Sequence, residues 1–519
     1  MSRIILFLLV AHTVVSLRAQ IYKNDHLIFD GTFNDALAII ERNDSTYTAF
    51  GVIRDTLQIN DSLGYWLQSI ISYELDQNLD TIRKRKYKTY DKDIIPLNSF
   101  RDNNDLINLI GLRRDTNLVY STLWWQIDAE GEIVNDYKIL SPGYPNDNFI
   151  SAFGGFQDSV SGKYVLMVHE TSPSSKPGII ITDADGNVLL RKTYQPPPTR
   201  DLWMYDIQPK INSSNYIMIG ENFYINGPFP QDRSMHIIEV DSVGNVVEQW
   251  DSSEPVDYGR SYGLIQLSDG GLVVAGAVRW ANSSNLSFHH HAAISLLDSN
   301  KNFVWTDSTY TSGTPNQFLV LHKIGNSYVA MGHTKDLHSS ASDVKLLGLL
   351  HKTDPNGNTL WSRNYQHVSD IALSSTFEDM VMTPDSGFLI VGYAIYPGLP
   401  QYQPPQRGYI VKTDRYGCVV PDCQLVDTED LAPDEPPFEL LAYPNPASER
   451  LDVFVKTAPG AGPHTGELLD ATGRTVRRFA GSASDVTYLL DVADLPAGVY
   501  FLRVTTGERW VRTERVVVQ

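Results

Sequence analysis

Cysteines, long apolar runs and catalytic motifs are all scarce in this chain of 519 residues. After the N-terminus, no segment approaches the roughly 20 apolar residues that a membrane-spanning helix needs, which argues against a helical membrane protein. The sequence also lacks a His-Glu-x-x-His zinc motif, a Gly-x-Ser-x-Gly elbow and a phosphate-binding loop. The common signatures of metalloproteases, serine hydrolases and nucleotide-binding enzymes are therefore missing.

The two cysteines, Cys418 and Cys423, are close together in sequence. In an exported chain such a pair predicts a small disulfide loop, with a redox or metal pair as the alternative. Basic residues are outnumbered, because 61 Asp and Glu face 42 Lys and Arg and give a net charge of -19. This acidic balance argues against nucleic acid as a partner and suits solubility outside the cell.

The first residues have the pattern of a secretory signal peptide. Arg3 precedes an apolar run from Ile4 to about Val15, and the small residue Ala19 stands before Gln20. A run of roughly a dozen apolar residues is too short to span a bilayer. We therefore predict that residues 1–19 are a signal peptide, cleaved between Ala19 and Gln20.

The residues that are abundant favour an all-β protein. The chain has 27 Tyr, 9 Trp, 36 Gly and 28 Pro, whereas only 20% of its residues are charged. Such a composition is typical of many short strands separated by turns. After removal of the signal peptide the chain is too long for one ordinary core, so we expect several domains or a repeat array.

An Asp-x-x-Gly turn between two strands recurs about every 56 residues along the chain. Two of its copies lack the glycine. The seven copies begin at Asp76, Asp128, Asp183, Asp241, Asp298, Asp354 and Asp414.

A second strand, usually ending in Gly, precedes each turn. Its segments are Thr46–Gly51, Asp105–Gly111, Gly162–Val168, Asn215–Gly220, Ser268–Gly276, Asn326–Gly332 and Asp385–Gly392. Two hairpin turns per repeat imply four strands, which is a propeller blade. Residues 20–424 then accommodate seven blades, and the recurrent Trp250, Trp305 and Trp361 are expected in the packing between blades.

Both short turns of a blade lie at one end, so the long connections lie at the other. They are Asn222–Arg233, Val278–His290, His333–Asp343 and Ala394–Arg407. Four aromatic residues in them are candidates for a ligand-binding face: Tyr224, Trp280, Tyr396 and Tyr402. Packing of the long connections against one another is the alternative.

After an acidic, Pro-rich linker predicted at residues 425–440, residues 441–519 contain an ordered set of short motifs. They are Tyr443-Pro444-Asn445-Pro446, the turn that ends at Gly473, the segment containing Pro496, Gly498 and Tyr500, and a basic, Val-rich end with Arg512 and Arg515. Short strands with Pro and Gly turns over this length predict a small immunoglobulin-like β-sandwich.

This ordered set resembles the type A C-terminal sorting domain of Bacteroidetes type IX secretion cargo, with Arg where the family usually has Lys. The repeats before it resemble propeller repeats common in secreted Bacteroidetes proteins. The first resemblance implies passage through the periplasm and across the outer membrane by the type IX machinery. It also implies removal of the sorting domain, with the product surface-attached or released.

Two segments suggest metal binding, and for both we prefer another interpretation. His289-His290-His291 could offer at most two ligands on one strand face, so solvated histidines at a junction between a loop and a strand are expected. Asp183-Ala-Asp-Gly-Asn187 is similar to the start of a calcium loop but lacks its other ligands, and it coincides with a repeat turn. No cofactor is expected, and calcium is the alternative.

We therefore expect a seven-bladed propeller that acts as a binding or adhesion module for a glycan or protein. The alternative is a secreted hydrolase or lyase acting on polysaccharide or peptide through carboxylates on the propeller face, because such enzymes carry no local signature.

Overall fold

The computed structural model describes residues 23–26, 34–419 and 438–519, apart from short segments. These segments are 43–45, 61–64, 90, 92, 116, 118, 141–148, 172–174, 197–199, 225–232, 253–256, 282–287, 310–315, 336–344, 367–373, 396–405, 458–462, 472, 483–484 and 507–509. The chain divides into two compact units, Met1–Val419 and Val420–Gln519. Within the described residues we find no helix that is long and apolar enough to cross a membrane.

The first unit contains seven antiparallel sheets of four strands each. In six of them, all four strands are consecutive in the chain. Blade 1 consists of β2 (Asn34–Glu41), β3 (Tyr47–Asn60), β4 (Tyr65–Leu75) and β5 (Thr81–Tyr87). Blade 2 consists of β6 (Asp93–Arg101), β7 (Ile107–Arg114), β8 (Tyr120–Ile127) and β9 (Ile133–Tyr137). Blade 3 consists of β10 (Phe149–Gln157), β11 (Tyr164–Thr171), β12 (Ser175–Thr182) and β13 (Val188–Thr193).

The next three blades repeat this order. Blade 4 consists of β14 (Arg200–Pro209), β15 (Tyr216–Tyr224), β16 (Arg233–Val240) and β17 (Val246–Asp251). Blade 5 consists of β18 (Asp257–Gln266), β19 (Leu272–Ala281), β20 (Phe288–Leu297) and β21 (Phe303–Thr309). Blade 6 consists of β22 (Gln317–Ile324), β23 (Ser327–Lys335), β24 (Leu346–Thr353) and β25 (Thr359–Tyr365).

Blade 7 is built from both ends of the unit. Its first three strands are β26 (Ser374–Met382), β27 (Phe388–Ile395) and β28 (Gln406–Thr413), and its fourth is β1 (Lys23–His26). Lys23 pairs with Lys412, and His26 pairs with Tyr409. A strand from before blade 1 therefore completes the last sheet, which closes the ring.

Hydrophobic cores lie between the blades, because each four-stranded sheet buries both of its faces against its neighbours. Seven core clusters each join two consecutive blades, and one of them joins blade 7 to blade 1 through residues such as Val391 and Ile39. The prediction of a seven-bladed propeller is confirmed by this strand order and by the closed series of cores.

The Asp-x-x-Gly turns have the predicted geometry. In the copy at Asp354, the Gly357 amide donates to the Asp354 carbonyl at 3.2 Å, and the Asp354 carboxylate accepts from the Asn358 amide at 2.9 Å. The two copies without glycine keep the same left-handed backbone, at Leu79 with φ 63° and Lys301 with φ 65°. The turn is thus set by the aspartate as well as by the glycine.

Aromatic residues at the end of the fourth strands pack on these turns from the preceding blade. The Tyr365 hydroxyl donates to the Gly417 carbonyl at 2.6 Å, and the Tyr87 hydroxyl donates to the Gly131 carbonyl at 2.9 Å. Trp250, Trp305 and Trp361 pack against the cores between blades, as predicted. The repeated turn and the repeated aromatic residue therefore form a recurring contact between neighbouring blades.

The second unit is a sandwich of two sheets. The three-stranded sheet contains β29 (Phe438–Tyr443), β30 (Arg450–Thr457) and β33 (Asp485–Asp491). The four-stranded sheet contains β31 (His464–Leu469), β32 (Thr475–Gly481), β34 (Gly498–Thr506) and β35 (Trp510–Val518). One core lies between them, so the unit is the predicted small β-sandwich. Its first strand starts at Phe438, ahead of the boundary expected at residue 441.

Candidate functional site

The first strands of the seven blades form the inner ring of the propeller, because each contacts the first strand of the next blade and β2 contacts β26. Every one of them contains a β-bulge. A bulge leaves one residue unpaired and turns its side chain away from the regular alternation. The extra residues at these bulges whose side chains are described, and are half-buried, are Leu97, Phe153, Tyr205, Tyr262, Leu319 and Glu378.

The bulges of the first strands explain why a glycine recurs in the second strands. Gly220 pairs with Met204, directly before the bulge of blade 4. A Cβ atom on Gly220 would lie 1.9 Å from the Trp203 carbonyl oxygen, so no larger residue fits. The same close approach recurs at three further glycines, Gly111, Gly332 and Gly392.

Aromatic residues of the inner strands of blades 3, 4 and 5 form two contacting pairs, which together we call the aromatic wall: Phe153 with Trp203, and Tyr205 with Tyr262. The ring centroids of Phe153 and Trp203 are 6.1 Å apart, and those of Tyr205 and Tyr262 are 4.2 Å apart. All four side chains are half-buried. Partly exposed aromatic rings of this kind offer apolar faces to a ligand.

Buried polar groups hold the aromatic wall in place. The Tyr205 hydroxyl donates to Glu221 Oε1 at 2.5 Å, and Glu221 is only 2% exposed. His169 is fully buried, its ring is 4.9 Å from that of Trp203, and its Nε2 accepts from the Met204 amide at 2.8 Å. Burial lowers the pKa of His169 to about 4, so this ring is neutral at physiological pH.

Blade 4 also presents polar atoms without partners, close to the end of its second strand. Asn222 and the His236 Nδ1 both contact Asp251 Oδ1, at 3.0 and 2.7 Å. The Asn222 Oδ1 and the His236 Nε2 are buried and have no hydrogen-bond partner among the described residues. Two such atoms are suited to hydrogen bonds with a ligand, because leaving them unpaired is costly.

Two carboxylates of the inner ring have raised pKa values, but they do not form an acid pair. Burial raises the pKa of Asp206 to about 6 and that of Asp379 to about 7. They belong to blades 4 and 7, and each accepts a backbone hydrogen bond from the following blade, Asp206 from Leu264 and Asp379 from the Ile39 amide at 2.9 Å. A glycosidase needs two carboxylates on opposite sides of one bond. These two instead hold neighbouring blades together.

Two of the four residues predicted to form a ligand face lie in described strands. Tyr224 ends β15 and Trp280 lies near the end of β19, so both are at the end of the propeller that carries the long connections. Tyr396 and Tyr402 lie outside the described residues, as do the middle parts of the four long connections. The aromatic wall was missed because Phe153, Tyr205 and Tyr262 lie at bulges, which the sequence does not reveal, and Trp203 stands beside one of them.

The histidine segment differs from the prediction. His289, His290 and His291 belong to β20, and His291 is 7% exposed rather than solvated. No group of three or more His, Cys, Asp or Glu residues suited to a metal ion occurs in the part of the chain that the structure describes. The Asp183 carboxylate accepts from the amides of Asp185 and Asn187, as in the other repeat turns.

Cys418 is fully buried directly after the last repeat turn and is disulfide-bonded. Cys423, the other cysteine of the chain, lies outside the described residues, as do Ala19 and Gln20 at the predicted signal cleavage site.

Most motif residues of the sandwich have internal structural roles. The Asn445 side chain donates to the Arg515 carbonyl at 2.7 Å and accepts from the Val517 amide at 2.9 Å, which fastens the first motif to β35. The Tyr500 hydroxyl donates to the Pro496 carbonyl at 2.8 Å. Gly473, at φ 81°, ends a turn of the same type as those in the propeller, and Gly498 begins β34. The peptide bonds that precede Pro444 and Pro446 are cis.

The comparison with protein families identifies this second unit. Residues 441–519 match the family described as the secretion system C-terminal sorting domain. The chain is therefore type IX secretion cargo, with a propeller ahead of its sorting domain. Such cargo is exported to the cell surface or the extracellular space. No curated protein matches the chain in sequence.

Solved structures similar to the chain include the following three. The WD40 β-propeller domain of Doa1 is 10% identical, and the alignment covers 75% of this chain and 96% of that chain with a TM-score of 0.41. A Dyadobacter fermentans protein of unknown function is 11% identical, with 75% and 97% coverage and a TM-score of 0.41. The Synechocystis apocarotenoid oxygenase is 11% identical, with 90% and 97% coverage and the same TM-score. The fold assignment rests on the strand order and the cores described above.

Proposed function

We propose that the propeller is a non-enzymatic binding module and that its ligand is a glycan held on the aromatic wall. The observation that carries this proposal is the set of four half-buried aromatic residues contributed by three consecutive blades. Sugar rings have apolar faces that pack on aromatic side chains, and their hydroxyl groups need hydrogen-bond partners. Two buried polar atoms of blade 4, Asn222 Oδ1 and His236 Nε2, have no hydrogen-bond partner among the described residues, and they support this choice.

A hydrolase receives less support from the same residues. The two inner carboxylates with raised pKa values belong to separate blades and already accept backbone hydrogen bonds. We therefore favour binding over cleavage, and we expect the module to attach the exported protein to a polysaccharide.

Binding to immobilised polysaccharides of defined composition tests this proposal. Trp203→Ala and Tyr262→Ala should each weaken binding at least about 10-fold, because each removes a large apolar contact. Tyr416→Ala is the matched control, since Tyr416 lies beside Arg415 in the Asp-x-x-Gly turn that follows β28 in blade 7. Equal binding by all variants would contradict the proposal, and release of new reducing ends during the assay would favour the hydrolase.

We further infer that residues 1–19 direct the chain to the periplasm, with cleavage before Gln20, and that a Bacteroidetes host displays or releases the product. The apolar run from Ile4 to about Val15 and the small residue Ala19 support this route. N-terminal sequencing of the exported protein tests the cleavage site. An N-terminus other than Gln20 would contradict it.

A further inference from the structure

The outer face of the three-stranded sheet of the sandwich is unusually apolar. Leu489 is 62% exposed, Leu441 is 56% exposed and Tyr443 is 49% exposed. Phe454 lies beside them and is half-buried. We call these four residues the apolar face.

Strand register places the four residues together. Leu441 pairs with Phe454, and Tyr443 pairs with Asp452, which in turn pairs with Leu489. Because side chains alternate along a strand, the intervening residues point the other way. These are Leu440, Val453 and Leu490, and all three belong to the core between the two sheets.

The outer face of the four-stranded sheet has the opposite character. Glu467 pairs there with Arg478 at 3.0 Å and with Arg503 at 2.5 Å. This side of the sandwich thus carries ion pairs, as expected of a surface in contact with water. Among the described residues of the sandwich, Leu441, Tyr443 and Leu489 of the three-stranded sheet are the most exposed large apolar side chains.

Tyr443 is a motif residue that places a large exposed ring on the outer face of the sandwich. Asn445 fastens β35, Gly473 ends a turn, and Tyr500 closes the segment at Pro496. The Tyr443 side chain is half-exposed and lies on the apolar face, opposite the buried core. A tyrosine in this position is suited to contact with another protein, where aromatic residues are enriched.

We propose that the apolar face is the surface by which the sorting domain docks onto a protein of the secretion machinery, through a complementary apolar surface on that protein. This proposal rests on the sorting assignment. The four residues surround Asp452, whose carboxylate is ion-paired with Arg450 at 2.7 Å, and Thr487 borders them. Neighbouring exposed apolar residues next to polar groups are typical of protein interaction sites.

Export of the full chain from a type IX-competent host tests the proposal. Leu489→Glu replaces the most exposed apolar side chain of the face with a charged one and should reduce the exported fraction at least about 10-fold, with the chain accumulating in the periplasm. Thr465→Glu is the matched control, because it adds the same charge to an exposed residue of β31, in the other sheet. The control should export within about 2-fold of the unchanged chain.

A milder substitution distinguishes a loss of docking from a folding defect. Tyr443→Ser removes an exposed ring and should reduce export while leaving the thermal unfolding midpoint of the purified full chain unchanged. Normal export of both Leu489→Glu and Tyr443→Ser would overturn the proposal. So would self-association of the purified chain that Leu489→Glu abolishes without loss of export, since a second copy would then occupy the face.

Deletion of residues 438–519 separates this proposal from the sorting assignment. If the deleted chain is retained but Leu489→Glu is exported normally, only the docking face is wrong. If the deleted chain is exported as well as the full chain, the sorting assignment itself fails.

Discussion

Single residues of the propeller are constrained most strongly where the second strand passes the bulge of the first. Gly332 pairs with Phe318 at the bulge of β22, and a Cβ atom there would lie 2.0 Å from the Gln317 carbonyl oxygen. Gly332→Ala should therefore lower the free energy of unfolding by about 3 kcal/mol or more, because the two strands must separate. Chemical denaturation of the full chain measures the change.

Blade 3 provides the control for this prediction. Val168 occupies the same register opposite Ala152, so this blade already accommodates a side chain. Val168→Ala should cost only about 2 kcal/mol, the usual effect of removing two buried methyl groups. Equal effects of the two substitutions would contradict the steric explanation of the repeated glycine.

Asp379 should make stability depend on pH. Burial raises its pKa to about 7, although the amides of Ile39 and Met380 donate to it and oppose the shift. The folded state therefore binds a proton more tightly than the unfolded state, and stability falls as pH rises from about 4 to about 7. In Asp379→Asn this loss should be absent.

The free energy of unfolding of Asp379→Asn, relative to the unchanged chain, should increase by about 3 kcal/mol between pH 4 and pH 8. Asp206→Asn is the control at the same register of blade 4, and its smaller pKa shift, to about 6, predicts a smaller increase. Unfolding curves at the two pH values measure both variants. An increase of the same size on going to acid would contradict the sign.

At the scale of strands and turns, the sequence allowed the repeat to be predicted but not the site. The aspartate turns and the glycine-ended strands are local signals, so the four-stranded blade and the number of blades could be derived from them. The bulges depend on pairing between two strands, so the exposure of Phe153 and Tyr205 could not be predicted. For the same reason, the hydrogen bond between Asp206 and blade 5 could not be predicted. The closing strand β1 was missed for the same reason, because its partner lies at the far end of the unit.

The attachment of the Tyr-Pro-Asn-Pro motif to β35 gives a prediction at this scale. Asn445→Ala removes two hydrogen bonds to the backbone of β35, at Arg515 and Val517, and should cost about 1–3 kcal/mol. Amide hydrogen exchange at Val517 should accelerate accordingly. Asn445→Asp keeps the acceptor for Val517 but loses the donor to Arg515, so an intermediate rate is expected. Unchanged exchange in both variants would show that this attachment does not hold the strand.

At the scale of the whole molecule, the structure limits where a cleavage that removes the sorting domain, as the family resemblance implies, could fall. Leu440 is 2% exposed in the sandwich core, and β29 pairs with β30 from Phe438 onwards. A cut within β29 would break this strand, so we expect the exported product to end between residues 420 and 437. Mass measurement of its C-terminus tests this. A C-terminus beyond residue 438 would contradict it.

The pairing of β1 with β28 also determines which chains can close the propeller ring. Lys23 in β1 pairs with Lys412 in β28, so the last sheet forms only when the final propeller strand is present. The sorting domain follows that strand in the chain. A chain truncated before β28 therefore has an open ring and lacks the sorting domain. In the full chain the sorting domain follows all seven blades, so export that depends on this domain selects chains whose synthesis has passed the last propeller strand.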